Sequence, residues 1–172
     1  MNVIIIYSGD LGSTEKAARY LADELGGAEL ADTSLSPVID YKAYDAVVFG
    51  TNVRMFRLNK RFRKYAASRL RSRADGKVYA FVMCADDRKS DKFVRKADKA
   101  LRSPGATVYA GGELNTDKAS SFEKSIIEGV EAAFKKEGRA LPQIMYATLR
   151  DLAERIKADL DQSKNDESEK AE

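Results

Sequence analysis

Val3-Ile4-Ile5-Ile6-Tyr7, then Ser8-Gly9-Asp10-Leu11-Gly12-Ser13-Thr14, then a helix-forming run from Glu15 to Leu25: this opening stretch decides the fold. An unbroken apolar run bounded by a turn reads as a strand buried on both faces. The run after the turn places Ala17, Ala18, Leu21 and Leu25 on one face at helical spacing, and Gly26-Gly27 stops it. A turn between a buried strand and a helix start leaves backbone N–H groups unpaired at the positive end of the helix dipole, which favours an anion there. Three hydroxyls (Ser8, Ser13, Thr14) and two glycines within the turn suit a phosphate better than a plain connector.

The same strand–helix unit recurs outward from this point. A weak second strand is expected at 28–31, followed by a loop containing Pro37 with at most a short helix. Asp45-Ala46-Val47-Val48-Phe49-Gly50 reads as a central strand, 51–58 as a loop, and 59–70 as a helix with Phe62, Ala66 and Leu70 inward. A fourth strand over 77–84 leads into a charged loop at 85–90. A helix over 91–102 then buries Phe93, Val94, Ala97 and Leu101, and Pro104-Gly105 turns the chain into a fifth strand at 106–110. Repeated short apolar strands alternating with helices predict an α/β fold with a doubly wound parallel sheet, helices covering both faces.

Ser120-Ser121-Phe122-Glu123 has the spacing of a capping box and opens a helix carrying Phe122, Ile126, Val130 and Phe134 along one side, expected to pack on the domain. A last helix after Pro142 shows Met145, Leu149, Leu152, Ile156 and Leu160. The expected organisation is one domain over 1–161, with 115–140 a helical insertion after the fifth strand and 162–172 a disordered charged tail.

Composition narrows the chemistry. The 172 residues include no histidine and one cysteine, which excludes histidine triads, histidine-ligated metals and thiolate clusters. A bound cofactor is the economical source of reactivity. No apolar run is long enough to span a membrane, and a strand beginning at once after Met1 leaves no signal peptide, so a cytoplasmic protein is expected, with peripheral membrane contact left open. The net charge of +3 hides an asymmetry: residues 54–102 hold 17 Lys or Arg against 5 Asp or Glu. That basic face either is solvated surface or steers the chain toward an acidic partner. Its aromatics fall mostly at core spacing, which argues against nucleic acid.

Other phosphate devices do not match. Gly12-Ser13-Thr14 lacks the lysine of a P-loop, and Gly9 and Gly12 do not make a dinucleotide fingerprint. The segment Tyr7 to Thr14, the run Tyr44-Asp45-Ala46-Val47-Val48-Phe49-Gly50 continuing to Arg54 and Met55, and Ala110-Gly111-Gly112-Glu113-Leu114-Asn115 followed by Phe122-Glu123-Lys124 together resemble the flavodoxin-like family, in particular the branch that includes menaquinone-dependent protoporphyrinogen oxidase.

The resemblance implies a sheet order of 2-1-3-4-5 and non-covalently bound FMN. By position it puts Ser8, Asp10, Leu11 (through its backbone), Gly12, Ser13 and Thr14 around the phosphate. Thr51, Asn52, Val53, Arg54 and Met55 fall on one side of the flavin ring, and Cys84, Ala85, Asp86 and Asp87 on the other. Asp10 is at odds with a phosphate unless its carboxylate points outward. The stretch 51–58 has no glycine, so Asn52 is the residue expected to adopt any left-handed turn there. Arg54, Arg57, Lys60 and Arg61 either hold an anionic substrate, compensate the flavin's charge, or form a solvated helix start. Three functions follow as expectations: electron transfer between cytoplasmic partners, an FMN-dependent oxidase of protoporphyrinogen type with a quinone acceptor, or a flavin-free module docking through the basic face.

Overall fold

Side chains alternate between the two faces of a strand, so a strand made entirely of apolar residues must be covered twice. Val3–Ser8, strand β1, buries all six of its residues. The computed structural model describes residues 1–169. After β1 come α1 (Ser13–Glu24), β2 (Glu29–Asp32), β3 (Ala46–Arg54), β4 (Arg57–Leu58), α2 (Lys60–Ser72), β5 (Lys77–Met83), α3 (Ser90–Leu101), β6 (Ala106–Tyr109), α4 (Ser121–Lys136) and α5 (Tyr146–Glu169). The five parallel strands lie in the order β2-β1-β3-β5-β6. Counting those strands alone, this is the expected order 2-1-3-4-5. The very short β4 is an addition, antiparallel to the end of β3.

The two faces of the sheet carry separate cores. Ile5, Tyr7, Val48, Tyr79 and Phe81 face α1 and α5, where Leu21, Leu149, Leu152 and Ile156 meet them. Ile4, Ile6, Val47, Phe49, Ala80 and Val82 face α2 and α3 through Phe62, Ala66, Phe93, Ala97 and Leu101. Each fully buried Ile, Leu or Phe contributes about 1.5–3 kcal/mol, and these rows hold the five parallel strands in register.

Three expectations are corrected. The loop over 51–58 is instead the continuation of β3, which stays paired with β5 as far as Asn52 opposite Met83. The chain then reverses through a two-residue turn at Met55 and Phe56, with Arg54 opposite Arg57. On α4 only Ile127 and Phe134 are buried, while Phe122 and Ile126 stay exposed. The helix therefore leans on the domain by one narrow edge rather than by the Phe122–Ile126–Val130 side. The helix α5 also runs to Glu169, through most of the segment whose composition suggests a disordered tail. A packed helix propagates at little expense into neighbouring helix formers. Residues 170–172 lie outside the described residues.

The segment holding α4 leaves and re-enters the domain at one place. Gly111 bridges Ile144, Gly112 N–H donates to the Gln143 carbonyl at 3.2 Å, and Met145 N–H donates to the Ala110 carbonyl at 3.0 Å. Gly111 has φ +77, and a Cβ there would collide with the Gln143 carbonyl, so the crossing of the two segments depends on glycine.

Candidate functional site

In a doubly wound sheet the ligand crevice lies beyond the carboxyl ends of the strands, where strand order reverses. Here that point is the gap between the ends of β1 and β3. Gly12, at φ +93, is the N-cap of α1, and no side chain caps the helix. The first intrahelical bond runs from Lys16 N–H to the Gly12 carbonyl at 3.0 Å. The N–H groups of Ser13, Thr14 and Glu15 precede it and have no partner among the described residues, forming a cradle for an anion. Ser8 is 1% exposed and its Oγ lies 2.9 Å from Thr33 Oγ1, so that hydroxyl serves the β1–β2 contact. Thr14 is also buried.

The Asp10 carboxylate is held by side chains from outside the first loop. Arg61 Nη1 donates to its Oδ1 at 2.8 Å, while Arg54 Nη1 and Asn59 Nδ2 each lie 3.4 Å from its Oδ2. Asn59 is itself fixed, since its Oδ1 caps α2 by accepting from Arg61 N–H at 2.9 Å and its Nδ2 donates to Asn52 Oδ1 at 3.0 Å. Arg54 also pairs with Glu123. The Glu123 carboxylate closes the capping box of α4 by accepting from Ser120 Oγ at 2.7 Å and Ser120 N–H at 3.0 Å. These bonds from Ser120, helped by Arg54, hold the Glu123 carboxyl below its ordinary range. Of the four cations expected at this mouth, Arg54 and Arg61 are committed to carboxylates. Arg57 and Lys60 are exposed and make no ion pair with any described residue.

A cavity of about 250 Å³ opens beside the cradle. Leu11 and Ser13 border it from the first loop, Asn52, Val53, Arg54 and Met55 from β3 and its turn, and Cys84 and Ala85 from the end of β5. Of the residues expected around a ligand, these eight come together. Ser8, Asp10, Gly12, Thr14, Thr51, Asp86 and Asp87 do not line the cavity. Thr51 is fully buried in the sheet, and the two aspartates are tied into ion pairs. Burial pushes the Asp86 carboxyl up, but hydrogen bonds from Arg88 and Lys89 outweigh it and hold the group below its ordinary range. Asp87 pairs with Arg139, just beyond α4. Burial raises the Cys84 thiol, whose Sγ donates to the Asp86 carbonyl at 3.4 Å, so it stays protonated and unreactive.

A fourth wall lies outside the expected site residues. Met83, the stretch Gly112-Glu113-Leu114-Asn115, Ser120 at the head of α4, and Phe122, Glu123, Ile126, Ile127 and Val130 of α4 complete the lining. The Phe122–Ile126–Val130 stripe was visible in the sequence, but i, i+4 apolar spacing does not say whether a stripe meets a core or a cavity. The left-handed backbone also falls elsewhere than expected. Met55 and Phe56, not Asn52, have positive φ (47° and 60°), and both side chains are about two-thirds exposed. Lys89 Nζ stands 4.7 Å from the centre of the Phe56 ring. Two successive positive φ values give the turn whose twist suits a two-residue hairpin, built here from bulky residues that disfavour it.

With this geometry in hand, a profile of the flavodoxin domain family matches residues 4–139. No curated protein sequence matches significantly. Among solved structures, the chain is similar to the flavodoxin of Streptococcus pneumoniae TIGR4 (16% identity, TM-score 0.56, covering 92% of this chain and 99% of that one). It is also similar to an archaeal flavodoxin (12%, TM-score 0.54, 91% and 99%). A third is a Lactobacillus acidophilus flavoprotein solved in complex with FMN (16%, TM-score 0.54, 63% and 92%). At such identities these likenesses speak for the fold.

Proposed function

We propose that this chain, which belongs to the flavodoxin domain family, binds FMN and passes electrons between cytoplasmic partners. The observation that carries the reading is the uncapped start of α1, with Gly12 left-handed, opening onto an apolar cavity at the carboxyl ends of β1, β3 and β5. The residues suit the cofactor's three parts. Free N–H groups at Ser13 to Glu15, with the Ser13 hydroxyl beside them, suit a phosphate dianion. Asn52 and Asn115 offer amides to a polyhydroxyl chain, and Val53, Met55, Met83 and Leu114 suit a flat apolar ring. When bound, the flavin supplies the redox chemistry that a chain with no histidine and one buried thiol lacks. The protein's own part is to hold the phosphate, exclude water from the ring through the apolar lining, and present an edge to a partner. The exposed cations Lys60, Arg63, Lys64 and Arg71 of α2 and Lys92, Arg95 and Lys99 of α3 make no ion pairs with described residues. They provide a face on which an acidic redox partner would dock.

A second reading, an FMN-dependent oxidase handing electrons to a quinone as in the protoporphyrinogen oxidase branch, is favoured by one observation: the cavity extends to α4, which lines it with Phe122, Ile126, Ile127 and Val130 beyond the polar pair Ser120 and Glu123. The deciding experiment is titration of flavin-free protein with FMN, followed by the quenching of flavin fluorescence. Stoichiometric binding is expected. A protein that leaves the fluorescence of added FMN unchanged refutes both readings. Photoreduction then separates them: an accumulating semiquinone supports the carrier, direct passage to the fully reduced flavin the oxidase.

A further inference from the structure

A carboxylate in a loop that cradles a dianion needs an explanation. The Asp10 side chain is about one-quarter exposed and accepts hydrogen bonds from Arg61, Arg54 and Asn59. Two of the donors are cations, and two, Asn59 and Arg61, lie at the N-terminal end of α2, where the helix dipole also favours negative charge. A carboxylate with only a repulsive effect on its ligand has no need of three donors drawn from two different elements. The bonds fasten the middle of the first loop, two residues before the left-handed Gly12, to the head of α2 and to Arg54. The guanidinium of Arg61 stands 2.8 Å from the carboxylate, an opposite charge close enough to offset its field.

We infer that Asp10 and Arg61 act together as positioning residues for the phosphate cradle. Asp10 anchors the loop, and Arg61 both receives the anchor and screens its charge from the phosphate. The inference rests on FMN being the ligand, and it assigns discrimination between FMN and riboflavin, which lacks the phosphate, to a pair that need not touch either. An unscreened charge close to a dianion acts through Coulomb's law, and paired groups are non-additive.

The test is a comparison of FMN and riboflavin dissociation constants for the unaltered protein, Asp10→Ala, Arg61→Met, the double variant and Arg61→Lys, with thermal unfolding as the check on folding. Arg61→Met is expected to weaken FMN about tenfold and riboflavin less than about twofold. Asp10→Ala is expected to weaken FMN about threefold, and the double variant to bind FMN better than Arg61→Met alone, because the carboxylate that has lost its nearer cation is gone. Arg61→Lys keeps the charge and is expected to stay within about threefold of the parent. The FMN deficit of Arg61→Met is expected to shrink at high salt. Tighter FMN binding by Asp10→Ala, equal losses for the two flavins, or additive losses in the double variant would each overturn the assignment while leaving FMN binding intact. Failure of the unaltered protein to bind FMN overturns both. Should Arg61→Met not fold, Asp10→Ala and Arg61→Lys still decide it: tightening by the first, or a loss in the second equal for both flavins, refutes the pair.

Discussion

Gly111 stands where two segments cross at φ +77, with the Gln143 carbonyl in the space a Cβ would take. Gly111→Ala combines left-handed backbone strain of about 1–2 kcal/mol with overpacking of about 1–3 kcal/mol. A loss of at least about 2 kcal/mol is expected by urea denaturation, without loss of the parallel order. Met55 and Phe56 present the opposite case, bulky residues held at positive φ with their side chains outside the core. Replacing them by Asn-Gly is expected to raise the unfolding midpoint, since the same turn then forms without strain. An unchanged or lower midpoint would show that the turn's strain is already balanced by the Lys89 contact with Phe56.

At the scale of elements, α4 is held at both ends by charged groups. Its start is held by Ser120, Glu123 and Arg54, and its far end by the pairs linking Arg139, Asp87, Glu137 and Arg88. Because the folded Glu123 carboxyl lies below its ordinary value of 4.5, its contribution is complete above that value. It is lost as pH falls through the lower, folded value. Protection factors of the amides at the start of α4, taken relative to the intrinsic exchange rate at each pH, are therefore expected to fall as the pH drops below about 4.5, before those of β1 and β3. Ser120→Ala should mimic this at neutral pH, at about 1 kcal/mol. Simultaneous loss of α4 and the central strands in acid would contradict the element-level account.

Across the whole molecule, the cations of α2 and α3 lie over one face of the sheet, and residues outside 54–102 are acidic in sum. The protein is expected to bind a cation-exchange resin at pH 8, and Lys64→Glu with Lys96→Glu to elute at lower salt. Reversing acids of α5 is expected to leave the elution nearly unchanged, since those acids lie on the opposite side. How much of this was legible in the sequence depends on the range of the forces involved. The parallel sheet and both cores follow from apolar runs such as Val3 to Tyr7, because burial on two sides leaves a local mark, whereas the strand order rests on the family resemblance. The role of Asp10 was open, since its partners Arg54 and Arg61 lie 44 and 51 positions away and only the fold brings them together. The hairpin at Met55 and Phe56 left no turn signal, because neither residue belongs to the types that usually make one. The α4 stripe has the spacing of a core contact, and spacing does not distinguish a filled contact from an open one. The backbone bonds joining Ala110 and Gly112 to Gln143 and Met145 mean that the intervening thirty-odd residues are a side excursion with a shared doorway. Closing that doorway with a short glycine turn should leave a smaller protein whose strands still assemble, shorn of its roof and with the cavity laid open to water.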